Sequence, residues 1–252
     1  VNQLWVNDGN GNYTEEAAAR GLVFFEQSWT ADFADIDNDG DFDCLVTNHS
    51  TTLLLLENDG TGNFTDITPN SGLEVTGFFL QAKLEDFDND GYVDLIYSGG
   101  AHAYFKNNGD QTFTNVPNMF PYGDTMHSFA TGDVNRDGQV DVYASYGNSY
   151  VSPDNSNDDV LWINNGNPDQ HWITFELEGF QSNRDAVGAT VEITGAFGTQ
   201  VRSVRAGESY GMTSTFSCHF GLGANDVVET ATVFWPSGLT TELTTPAVDP
   251  VS

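Results

Sequence analysis

Basic residues are what this chain most lacks. Only 7 of its 252 residues are Lys or Arg, against 37 Asp or Glu, for a formal net charge of −30. That balance excludes a nucleic-acid binder, because neutralising phosphates takes clustered Lys and Arg. Attraction to anionic membrane surfaces is disfavoured for the same reason. Cysteine is nearly absent: Cys44 and Cys218 stand alone in apolar, strand-like stretches, and their spacing is not that of a zinc site. Two buried free thiols are expected, with a long-range disulfide as the alternative. No apolar run approaches the roughly 20 residues that span a bilayer. The longest aliphatic run, Leu53 to Leu56, reads as a buried strand. No signal peptide is visible, so the chain reads as cytosolic, as mature, or as cut from something longer.

What is present points to β structure. Gly is abundant at 26 residues and aromatics reach 13%, with 8 Pro, a balance that suits many short strands joined by tight turns. A hydrophobic fraction of 38% is enough for a packed core, so disorder by composition is set aside. The length allows one large β domain or two smaller ones.

Self-comparison organises the first two thirds. An acidic loop of pattern D-x-[DN]-x-D-G-x-x-D occurs at Asp35 to Asp43, at Asp86 to Asp94 and at Asp133 to Asp141, offset by 51 and then 47 residues. Apolar strands ending in Asn recur with it: Leu4 to Asn7, Leu54 to Asn58, Ala103 to Asn107 and Leu161 to Asn164. Asn-Gly and Asp-Gly turns between β-rich runs signal hairpins. After each loop alternate residues are apolar (Phe42, Cys44, Val46; Val93, Leu95, Tyr97; Val140, Val142, Ala144), which predicts strands with one buried face. About fifty residues per three- or four-stranded unit is the size of a propeller blade. The third unit carries a polar insertion, 147–159, expected to be a surface loop.

From about His171 the repeat stops and a second all-β pattern begins, with strands expected over 171–178, 188–194, 199–206, 213–220 and 227–235. The boundary is placed at Asn167-Pro168, giving a repeat region 1–168 and a β domain 169–252. The charge changes there too: 27 acidic and 4 basic residues precede the boundary, 10 and 3 lie beyond it.

The loops have the chemistry of calcium sites. Calcium takes six to eight hard oxygen ligands in a flexible cage, and each loop offers oxygen side chains at positions 1, 3, 5 and 9. These are Asp35, Asp37, Asp39 and Asp43; Asp86, Asp88, Asp90 and Asp94; and Asp133, Asn135, Asp137 and Asp141. Position 7 (Asp41, Tyr92, Gln139) can contribute its backbone carbonyl whatever its side chain. Gly40, Gly91 and Gly138 stand where the sharp turn needs positive φ. Asn135 supplies an oxygen without the charge, so the third of the three expected calcium sites should be the weakest. Zinc is disfavoured by the absence of His and Cys, magnesium by its reluctance to lose water. An EF-hand would need flanking helices, whereas these flanks are rich in Val, Tyr and Phe.

These repeats resemble the FG-GAP/VCBS repeats of integrin-α-like propellers. The tail resembles the ASPIC/UnbV domain found after such repeats in the cartilage acidic protein family and its secreted bacterial relatives. The residues that carry the likeness are Ser182 to Ile193, Gln200 to Arg205, His219 to Gly223 and Phe234 to Gly238. The resemblance implies an all-β fold: an incomplete β-propeller of three to four blades followed by a small β-sandwich-like domain. It further implies calcium within the blades and a secreted or extracellular-surface location. Closure ordinarily takes at least about four blades, and Leu4 to Asn7 enters as a half-unit with no acidic loop before it. An open ring is therefore expected, completed by missing upstream blades, by self-association or by the tail. Leu4, Trp5 and Val6 should then pair with later strands of this chain or with another chain.

No catalytic set is expected. Gly207-Glu-Ser-Tyr-Gly211 matches the nucleophile-elbow pattern around Ser209, yet residues 212–218 are β-like where the elbow needs a helix. The histidines (49, 102, 127, 171, 219) are scattered, and His219 is expected to make a structural hydrogen bond. The functional expectation is a non-catalytic adhesion or binding module for an extracellular protein or glycan, with Tyr146 and Tyr150 as candidate contacts, though they read more readily as ordinary turn aromatics. The alternative is a structural subunit of an extracellular assembly or filament, and a polysaccharide-active enzyme comes third.

Overall fold

A computed structural model of the chain describes residues 2–49, 51–121, 125–148 and 157–249. Among them there is no helix, and so none long and apolar enough to cross a membrane.

The chain opens with a hairpin, β1 (Trp5–Asn7) and β2 (Tyr13–Glu15). Next comes a four-stranded antiparallel meander: β3 (Ser28–Ala34), β4 (Asp43–Asn48), β5 (Leu54–Asn58) and β6 (Phe64–Asp66). The second repeat builds another meander from β7 (Phe79–Glu85), β8 (Asp94–Gly99), β9 (Ala103–Asn107) and β10 (Phe113–Val116). The third has three strands: β11 (Thr125–Gly132), β12 (Asp141–Gly147) and β13 (Val160–Trp162). Most of the insertion, Tyr150 included, lies outside the described residues.

Each acidic loop joins the first strand of its meander to the second. The meanders stack face to face, with β3 against β7 and β11 against β7 and β8. This stacking corrects the expectation of half-buried strands: β4 and β8 are buried along their whole length. In β8, Leu95 and Tyr97 face a core shared with Leu45 and Leu55 of the first meander. Ile96, on the other face, joins Phe129 and Val142 of the third. A strand between two meanders has no solvent face, so polar alternation has nothing to serve.

The tail holds two sheets. One pairs β14 (His171–Phe175) with β17 (Cys218–Gly223). The other orders β16 (Gly198–Ser203), β15 (Thr190–Gly195), β18 (Thr230–Phe234) and β19 (Thr240–Thr244). Both contribute to one core, through Ile173 and Phe220 from the first sheet and Val191, Ile193 and Val233 from the second. β17 starts later than the expected 213, and β19 was not foreseen because all five of its residues are exposed and carry no apolar alternation.

The ring does not close among the described residues. β1 pairs only with β2, without a partner from the later strands, and Trp5 is 55% exposed. Leu4 packs beside Cys44, Val46 and Leu56. Cys44 and Cys218 are both buried free thiols, and burial pushes the Cys218 thiol up to about 12.

Candidate metal centre

The three loops share one backbone design. Position 1 accepts the N–H of the loop glycine: Gly40 to Asp35 Oδ2 at 3.1 Å, Gly91 to Asp86 Oδ2 at 2.9 Å, Gly138 to Asp133 Oδ2 at 2.8 Å. Position 9 folds back on the loop's second residue, as Ile36, Phe87 and Val134 donate to Asp43, Asp94 and Asp141 at 3.1, 3.2 and 3.0 Å. The other oxygen of each position-9 carboxylate accepts the N–H of an Asn at or just past the end of the third strand (Asn58, Asn107, Asn164), each at 2.8 Å. Positive φ falls on position 6, 98° at Gly40 and 101° at Gly91, and on position 4, at Asn38, Asn89 and Arg136. Asn tolerates that region better than most side chains.

This scaffold brings positions 1, 3 and 9 together twice. Oxygens of Asp35, Asp37 and Asp43 lie within 4.8 Å of one another, as do those of Asp86, Asp88 and Asp94. In the third loop Asn135 stands in for the second carboxylate, and Asp133, Asp137 and Asp141 form no such group among the described residues. Position 5 is outside both groups: Asp39 accepts the Asp41 N–H at 3.1 Å, and Asp90 meets Lys106 Nζ at 2.8 Å. At position 7 the Tyr92 ring lies against Gly109 and the Gln139 amide against Gly166.

The chain matches two families. Residues 35–97 and 86–144 match the FG-GAP-like repeat, and residues 179–251 match ASPIC and UnbV. The chain carries FG-GAP-like repeats and a C-terminal ASPIC/UnbV domain. No curated protein matches it significantly.

The electrostatics of the FG-GAP loops favour a cation. Burial lifts Asp35 to about 6, while Arg202 of the UnbV domain opposes the rise. Burial lifts Asp43 and Asp86 to about 7 and Asp94 well above its ordinary range, with neighbouring aspartates adding to the rise. Asp86 Oδ1 and Asp41 Oδ1 are buried without a hydrogen-bond partner among the described residues. Buried carboxylates this crowded need a counter-charge to ionise at neutral pH. An all-oxygen donor set with free buried oxygens fits a hard divalent cation.

The residues facing each loop differ. Glu57 stands across the first, with Gln111 Nε2 donating to both Asp37 (2.7 Å) and Glu57 (2.6 Å). Lys106 takes the equivalent place at the second and pairs with Asp88 and Asp90. Ile163 takes it at the third. The loops are also bonded to one another: Asn38 Nδ2 donates to the Gly91 carbonyl at 3.2 Å, and Asn89 Nδ2 to that of Gly138 at 2.9 Å. The recurrent Asn was legible as a turn residue, but nothing in the chain order reveals its partner in the next repeat.

The UnbV domain reaches the repeats through charge as well. Lys83 pairs with Glu208 at 2.7 Å, and Arg205 with Asp32 at 2.6 Å. Asp32 Oδ2 also accepts the Leu84 N–H, tying β3 to β7. His219 makes the structural bonds expected of it, to Asn89 Oδ1 at 2.6 Å and Thr174 Oγ1 at 2.9 Å, and burial lowers its pKa to about 4. Ser209 sits in a turn bridged to Met212, not between a strand and a helix. Tyr146 is buried, its hydroxyl accepting from Trp162 Nε1, so it is not a surface contact.

Proposed function

We propose that the chain is a calcium-binding, non-catalytic extracellular module whose acidic loops hold calcium as structural cross-links. The supporting observation is the repeated convergence of Asp35, Asp37 and Asp43, and of Asp86, Asp88 and Asp94. Those residues would hold the ion, with carbonyls of Asp41 and Tyr92 completing the oxygen set. In the third loop Asp133, Asn135, Asp137 and Asp141 would hold a weaker one, with the Gln139 carbonyl. Calcium supplies charge neutralisation where burial otherwise keeps carboxyls protonated. With the loops rigid, the surface built on and around them is free to recognise an extracellular protein or glycan. A cavity of about 460 Å³ lined by Trp172, Arg136, Asp133 and Glu176 suits such a ligand, combining an aromatic ring with charged groups.

Calorimetric titration with calcium is the test, with two strong sites and one weaker one expected. Absence of binding at millimolar calcium would remove the reading. A glycan array, read beside Arg136→Ala, then tests the ligand surface. Trp5 and Tyr13, more than half exposed on the open hairpin, favour a second reading as a self-associating subunit. Calcium-dependent oligomerisation in light scattering without any glycan signal would select it.

A further inference from the structure

The second FG-GAP loop is not completed by its own repeat. Asp86 is wholly buried, and its Oδ2 accepts two backbone N–H groups. One is Gly91 of the same loop, at 2.9 Å; the other is Gly221 of β17, 135 residues away, at 3.1 Å. With both donors on Oδ2, Oδ1 remains buried without a partner among the described residues. The loop's position-4 residue is gripped by the same strand: the Gly223 N–H donates to the Asn89 carbonyl at 2.8 Å, and His219 Nε2 lies 2.6 Å from Asn89 Oδ1. Gln200 Nε2 donates to the Gly221 carbonyl at 2.9 Å and bears on Gly91 from outside. A Cβ built on Gly221 would overlap Asp86 Oδ2 and the Asn89 backbone, so the approach requires glycine there. Among the described residues no backbone of the UnbV domain enters the first loop in this way: Gly40 has open space around it, and the N–H groups donated to Asp35 come from its own loop, although the Arg202 charge acts on it from outside.

We infer that the ASPIC/UnbV domain is a working part of the second metal site, so that calcium in this loop and docking of β17 favour one another. The inference rests on the calcium reading proposed for the loops. Its physical content is orientation. Two amides fix the Asp86 carboxylate by one oxygen and present the other, desolvated, to the loop interior. Docking holds the carboxylate in the orientation the ion needs, and a bound ion holds it where the two N–H groups need it, so whichever arrives second has less freedom left to remove. Linkage makes the effect reciprocal: whatever factor docking adds to affinity, the ion adds to docking. Gly221 is a positioning residue and does not itself reach the ion.

Amide hydrogen exchange on the full chain, with calcium chloride as the probe, separates the two claims. On saturation with calcium the Gly221 and Gly223 amides should slow at least tenfold, together with Gly91 of the second loop and Gly40 of the first. In Asp86→Asn, Gly40 should keep its calcium response while Gly221 and Gly223 lose theirs. Gln200→Ala, which leaves every loop ligand in place, should lower affinity at the second site and leave the first unchanged. If Gly40 responds to calcium and Gly221 and Gly223 do not, the composite site is wrong and the calcium reading stands. If no loop glycine responds, both fail.

Discussion

Asn107 Nδ2 donates to the carbonyl of Ile36, 71 residues earlier, at 2.8 Å, and to that of Val93, in its own loop, at 3.0 Å. Asn164 repeats the pair on Phe87 (2.7 Å) and Val140 (3.3 Å). One buried amide thus closes its own acidic loop and staples it to the preceding one. Asn107→Ala would strand both carbonyls in the core, and each unsatisfied buried group costs about 1–3 kcal/mol. The expected loss is about 2–4 kcal/mol in urea unfolding, against less than about 0.5 kcal/mol for the exposed Asn10→Ala. Equal effects from the two would show that the staple is not structural.

Metal and protons should act on stability with opposite signs. In the metal-free protein Asp35 stands at about 6 and Asp43 and Asp86 at about 7, against an ordinary value of 3.8. The folded state then holds protons that the unfolded state releases. The stability these three groups contribute is fully present below pH 3.8 and is lost as pH rises through about 7. Calcium requires the ionised carboxylates, so its added stability grows over the same range, reaching about 2.7 kcal/mol per site at a hundredfold excess over Kd. In chelator the Tm should fall between pH 4 and 8, and the gap to the calcium-loaded Tm should widen. Superimposed curves would take calcium out of the loops.

Gly40 isolates backbone geometry from packing. Its φ is 98° and a Cβ would meet nothing within 4 Å, so Gly40→Val adds only strain, of about 1–3 kcal/mol. Calcium affinity at the first loop should fall roughly tenfold or more, as that strain converts, although no ligand is removed. Calorimetry showing unaltered affinity would refute this turn geometry.

Lys106 is a tethered cation beside the second loop, where Glu57 stands in the first. Lys106→Gln removes a like charge from the ion's surroundings and should raise affinity there roughly three- to tenfold, by Coulomb's law at near-surface screening. Titration in an Asp37→Asn background, with the first loop weakened, reads the second loop directly. Unchanged or lower affinity would mean that Lys106 positions Asp88 and Asp90 instead of competing with the ion.

Much of this protein was legible from residue order. The spacing of Asp35, Asp86 and Asp133 sets the repeat, Gly40 and Gly91 mark positive φ, and alternation around Cys44 and Leu95 marks strands. Each is a local signal, because carboxylate spacing, turn geometry and side-chain period act over a few residues. Where strands had no such signal, as in the exposed β19, they were missed. Burial of β4 and β8 on both faces, the Asn107 staple, the Lys106 and Glu57 contrast and the entry of β17 onto Asp86 were decided by tertiary structure alone. Chain order cannot display them, since each joins groups brought together only when meanders stack and the tail docks. The sequence determines which groups are able to hold an ion; the packing of distant segments determines which oxygens are left free to do so.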